Sequence, residues 1–144
     1  MKRTLLLCLS SFVMAGCSHG GTAMTNKINQ VCGDKPNCVS TLDQREKFHI
    51  APYPLKANVT INQIEQAALK LSGAKTAVSD DNYLRIECTS TIMRFVDDLE
   101  LQIKDGQLIV RSESRVGYSD FGVNRKRAEQ LRNYLNEAGL LGVE

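Results

Sequence analysis

From residue 60 onward the chain switches between two periods. Ile61, Ile64, Ala68 and Leu71 recur at helical spacing. Thr60 stands just before them with Gln63 three residues on, the pattern of a capping box, and Gly73 follows where a helix stop belongs. The spacing predicts an amphipathic helix over about 60–72. The period then shortens to two. Lys75 to Ser79 is extended and closes on the turn residues Asp80, Asp81 and Asn82. Tyr83 to Ser90 alternates, with Leu84, Ile86, Cys88 and Ser90 on one face and Tyr83, Arg85, Glu87 and Thr89 on the other, as in a half-buried strand. Phe95 to Lys104 and Gln107 to Val116 flank Asp105-Gly106, a two-residue hairpin turn. The helical period returns in Asn124, Ala128, Leu131, Leu135 and Ala138, ended by Gly139, with Ser119 or Asp120 as N-cap. The fold class predicted is α+β, an antiparallel β-meander of about four strands with two helices packed on one face.

The hairpin turn fixes a register. On one face Ile103 meets Leu108, Leu101 meets Val110, Leu99 meets Ser112, Asp97 meets Ser114 and Phe95 meets Val116. On the other, Glu100 meets Arg111, Asp98 meets Glu113 and Val96 meets Arg115, which reads as a solvated lattice of charge whose cross-strand pairs contribute a few tenths of a kcal/mol each. The first face turns polar away from the hairpin tip, at Asp97, Ser112 and Ser114. A carboxylate on a core face needs hydrogen bonds or a counter-charge. The last helix packs on that face, and Asn124, with Arg127 or Arg125, is placed to supply them. Residues 111–127, RSESRVGYSDFGVNRKR, are therefore expected to fold as strand, turn and helix start, converging on one sheet edge.

The amino terminus reads differently. Lys2 and Arg3 precede a short apolar run, Thr4 to Ala15, too short to span a bilayer. Residues 1–16 are expected to be a signal peptide. Met14-Ala15-Gly16-Cys17 resembles a bacterial lipobox, which makes Cys17 the expected acylated first residue of the mature protein. Each buried CH2 of such an anchor adds about 0.8 kcal/mol. Ser18 after the cysteine favours the outer membrane, facing the periplasm, under the sorting rule of enteric bacteria. Residues 17–31 are expected to be the lipidated cysteine and a flexible tether, and 32–144 a single α+β domain.

Charge and cysteine usage narrow the chemistry. The chain has 18 basic and 16 acidic side chains; without Lys2 and Arg3 the balance is 16 to 16. A strongly basic nucleic-acid binder is excluded on that count. Export places Cys32, Cys38 and Cys88 where disulfides persist. Cys32 and Cys38 flank the turn-forming GDKPN, so they are the expected pair, with Cys88 left as a buried thiol on the apolar strand face. The cysteines lack the spacing of tetrahedral zinc sites. Asp97 and Asp98 point to opposite faces and cannot share an ion without a bulge. No metal and no cofactor is expected. The chain has no Gly-x-Ser-x-Gly, no His-Glu-x-x-His and no phosphate loop. His19 lies in the tether. A triad of Ser112 or Ser114 with His49 and Asp97 can be drawn, but no spacing argues for it, so no catalytic residue is assigned.

The segments PNCVS (36–40), RFVDD (94–98) and RSESRVGYSDFGVNRKR (111–127) resemble, in that order, the signature segments of the bacterial family called domain of unknown function 1499. The resemblance covers about Cys32 to Leu135. It implies a compact envelope or membrane-associated domain and implies no activity. The candidate binding residues are Arg94, Asp97, Ser112, Ser114, Arg115, Asn124 and Arg127. The expected function is that of a membrane-anchored envelope lipoprotein with a non-enzymatic binding domain, its partner the membrane through the lipid, together with an envelope protein or an anionic small molecule. The alternatives are a small-ligand pocket near Asp97, Ser114, Arg115 and Asn124, or a hydrolase.

Overall fold

The computed structural model describes residues 25–142; the segments expected to be a signal peptide and lipobox, and Cys17, lie outside them. Five strands form one antiparallel sheet: β1 (Cys38–Ser40), β2 (Ala74–Ser79), β3 (Tyr83–Thr89), β4 (Val96–Lys104) and β5 (Gln107–Ser114), in the spatial order β1-β5-β4-β3-β2. The expected register holds at every pair between the hairpin strands, from Lys104 opposite Gln107 to Asp97 opposite Ser114. The sheet has five strands where about four were expected. The extra strand, β1, is only three residues long, too short to show a period, and it pairs with β5 beside the Cys32–Cys38 disulfide, whose Cα atoms lie 5.7 Å apart.

Both helices, α1 (Ile61–Ala68) and α2 (Val123–Glu137), pack on the same sheet face. Thr60 and Gln63 form the capping box the sequence foretells. Gly73, at φ +67°, turns the chain into β2 so tightly that a Cβ there would lie 2.1 Å from the Thr89 carbonyl oxygen. Ile64, Ala68, Leu84, Ile86, Leu99, Leu101, Val110, Ala128, Leu131 and Leu135 close the main core. Among the described residues no helix is long and apolar enough to cross a membrane.

The other sheet face departs from expectation. It is not a solvated lattice. Residues 26–31, assigned from sequence to the tether, lie across it as a strap, with Ile28 fully buried against Tyr83 and Ile109. Glu100 and Arg111 are each only 3% exposed. Glu100 accepts hydrogen bonds from the Lys27 backbone N–H (2.9 Å) and the Tyr83 hydroxyl (2.7 Å). Arg111 donates to the Gln30 carbonyl and to Glu113, and Lys27 Nζ lies 3.0 Å from the same Glu113. Strand periodicity reported the polarity of these positions, whereas their burial comes from a segment with no period of its own.

Candidate functional site

Three stretches far apart in sequence meet where β5 gives way to α2. Asp97, near the start of β4, faces Arg127 on α2, with Oδ2 2.6 Å from the guanidinium. Arg127 also donates to the Asn124 side-chain oxygen (2.6 Å) and to Ser112 Oγ (3.2 Å). Asn124 has no exposed surface. Its oxygen accepts from Ser112 Oγ at 2.6 Å. Its amide nitrogen lies 2.9 Å from Ser114 Oγ, 3.0 Å from the Asn37 carbonyl and 2.7 Å from Asp120 Oδ2. Asn37 also takes the Ser114 N–H, so PNCVS, RFVDD and RSESRVGYSDFGVNRKR are joined in one corner. Asp120 accepts from the backbone N–H groups of Gly122 and Asn124, doing an N-cap's work although the helix begins after Gly122, whose φ is +81°.

Five of the seven candidate residues therefore come together: Asp97, Ser112, Ser114, Asn124 and Arg127. Two do not. Arg115 lies on the opposite sheet face, where Nε is 2.7 Å from Asp98 Oδ2 and the guanidinium also reaches Glu87. It cannot share a pocket with Asp97, because consecutive strand positions face opposite ways. Arg94 sits on the exposed loop between β3 and β4, at φ +56°. Asp97 and Asp98 thus each pair with a different arginine on a different face, and among the described residues no three His, Cys, Asp or Glu side chains group as ion ligands. The hydroxyls of Ser112 and Ser114 bond Asn124 and Arg127, while His49 Nδ1 faces the Asp43 carbonyl at 2.8 Å. No serine–histidine pair is assembled here. Cys88, opposite Asp97 on β3, is buried and free, and burial pushes its thiol above the usual range, away from thiolate chemistry.

Above the corner the character changes. The loop 90–95 and the loop 115–122 stand on either side of an open cleft of about 410 Å³, with Asp97 and Ser114 in its floor and Ile92, Met93, Phe95, Val116, Phe121 and Val123 around it. Ile92 is 88% and Phe121 94% exposed. Seven of the nine large apolar side chains exposed among the described residues are on these two loops or the first residue of α2; only Val31 and Leu69 lie elsewhere. Phe121, at φ +52°, and Arg94 hold left-handed backbone, as Asn58 and Asp105 do in turns elsewhere. Beyond Val123 a second, smaller hollow of about 310 Å³ is lined in part by Ser90, Cys88, Lys126 and Arg127. Sequence reasoning missed this apolar face. Its signal was available in Ile92, Met93, Val116 and Phe121, large apolar residues in segments too rich in turn residues to be helix or strand.

The strap end has its own polar anchor, also unforeseen. Asp43, 1% exposed, accepts from the Cys32 N–H at 2.9 Å and from Arg45 Nη2 at 2.7 Å. The Arg45 guanidinium holds its carboxyl well below the usual carboxylate range.

A five-stranded antiparallel sheet with two helices on one face and a strapped second face defines a small α+β domain whose three signature segments build one buried corner. A family model described as "Protein of unknown function (DUF1499)" matches residues 30–135, and the chain belongs to that family. No curated protein and no solved structure matches it.

Proposed function

We propose that the protein is a lipid-anchored bacterial envelope protein, acylated at Cys17, whose folded domain is a non-enzymatic binding module. The observation that carries this reading is the division of labour at one end of the sheet. The polar groups of the corner are bonded to one another, while seven large apolar side chains stand exposed just above them. An internally satisfied corner offers no free base or nucleophile. A contiguous apolar face is what a soluble domain keeps for an interaction. The binding face is the cleft between loops 90–95 and 115–122, and its partner is an apolar surface of the envelope. The small-ligand alternative at Asp97, Ser114 and Asn124 has less support, because Arg127 already neutralises Asp97 and Asn124 is fully bonded.

Two measurements test this. In cells, Cys17→Ala should move the protein out of the membrane fraction and remove the acyl mass; unchanged fractionation and mass would refute the anchor. The binding face is tested on residues 25–144, a span containing every residue of the buried core, from Ile28 to Leu141. A fluorescent apolar dye should bind that span, and Ile92→Ser with Phe121→Ser should weaken it about tenfold, since about 1.4 kcal/mol of lost apolar contact is one decade. Equal dye affinity would remove the cleft from consideration.

A further inference from the structure

We infer that the apolar end is seated in the bilayer to which Cys17 tethers the domain, so that the domain lies on the membrane in a fixed orientation. The inference rests on the anchoring reading above and names the partner of the same face. Three observations point to a lipid surface. The first is the geometry of the loops. Ile92 and Phe121, the most exposed of the large apolar residues, belong to separate loops flanking the cleft, so two apolar tips project together from one end of the molecule. Tyr118, 72% exposed on the second loop, adds the amphipathic ring favoured at the headgroup level.

The second is where the chain leaves the domain. Thr25 lies in a small hollow with Lys27, Asp98, Glu100 and Glu113, over the half of β4 and β5 nearest the cleft. Only seven residues lie between it and Cys17, so the eight steps along the chain reach at most about 28 Å at 3.3–3.6 Å per residue. The tether thus keeps the domain within about 28 Å of the anchored cysteine, where a modest second contact with the bilayer acts at high effective concentration. The third is charge. Arg94 stands exposed between Met93 and Phe95, and Lys126 is exposed on the first turn of α2, both placed to meet anionic headgroups. The acids on the cleft itself are already engaged, Asp97 by Arg127 and Asp120 by the N–H groups of the helix start.

The chain contains no tryptophan, so one introduced residue reports alone. The full lipidated protein, carrying Ile92→Trp, Phe121→Trp or Lys104→Trp, is reconstituted into vesicles of phosphatidylethanolamine with a minor fraction of phosphatidylglycerol, with and without bromine on the acyl chains. Lys104 is exposed at the far end of β4, about 27 Å from Val96 at 3.4 Å per residue. Side chains seated about 5–10 Å into the headgroup–acyl boundary should lose about half their emission to bromine at positions 92 and 121, and almost none at 104. If the protein floats with the vesicles but all three tryptophans respond alike, the anchor stands and the docking is refuted. Blue-shifted emission at 92 and 121 without quenching would give the face to a second copy of the chain and also overturn the inference. A protein that does not float refutes the anchor and the docking together.

Discussion

Asn124 ties one strand, a loop and the start of its own helix together through one side chain, and its place was legible from two facts alone. The Asp105-Gly106 turn sets the register that brings Ser112 and Ser114 to the core face, and the helical period puts Asn124 over them. Glu100 shows where that logic stops. Its strand position is polar and its cross-strand partner is Arg111, which alone reads as a surface pair contributing under about 1 kcal/mol. Covered by the strap, it instead accepts from the Lys27 N–H and the Tyr83 hydroxyl at 3% exposure. Glu100→Ala leaves both donors buried without an acceptor and should cost about 2–3 kcal/mol. In a domain of this size that lowers the melting temperature by about 10 °C. A drop of 2 °C or less by calorimetry would return Glu100 to the solvated surface.

At the scale of elements, the long periodic segments were legible and the aperiodic ones were not. Both helices and strands β2 to β5 appear within a few residues of where hydrophobic spacing places them. β1, the strap and the loops around the cleft carry no period, because each is held by partners distant in sequence: β1 by β5 and the disulfide, the strap by Glu100, Arg111 and Glu113, and the loop at Asp43 by Cys32 and Arg45. These anchors make the elements sensitive to acid. Asp43 is held low by Arg45. Glu113 is also lowered: burial opposes its ionisation, but Arg111 and Lys27 outweigh that. Carboxyls with folded pKa values below the unfolded range contribute stability that is fully present above about pH 4–4.5 and is lost as pH falls through the folded values. The melting temperature should therefore hold from neutral pH to about pH 5 and fall steeply below about pH 4. Asp43→Asn with Glu113→Gln should start lower at neutral pH and show a shallower acid limb. Parallel acid limbs in variant and wild type would mean that other groups govern acid unfolding.

For the whole molecule, the fold places a buried polar corner and an exposed apolar face a few residues apart. The corner of Asp97, Ser112, Ser114, Asn124 and Arg127 joins the signature segments of the family and holds β4, β5 and α2 together. The loops above it leave large apolar side chains uncovered by the rest of the domain, which a fold has no reason to do for its own stability. Sequence pattern found the first because it lies on periodic elements, and passed over the second because it lies between them. The measurement that tests this separation most directly is a paired thermal melt and apolar-dye titration of residues 25–144 in two variants. Asp97→Ala strands Arg127 at a nearly buried position and should lower stability by about 3 kcal/mol, roughly 10 °C, while the folded fraction still binds dye. Ile92→Ser with Phe121→Ser should melt within about 2 °C of wild type, as fully exposed positions do, and lose the dye. The reverse result, with Asp97→Ala as stable as wild type and the loop variant unfolded, would make the corner the site and the loops part of the core, and would contradict the account.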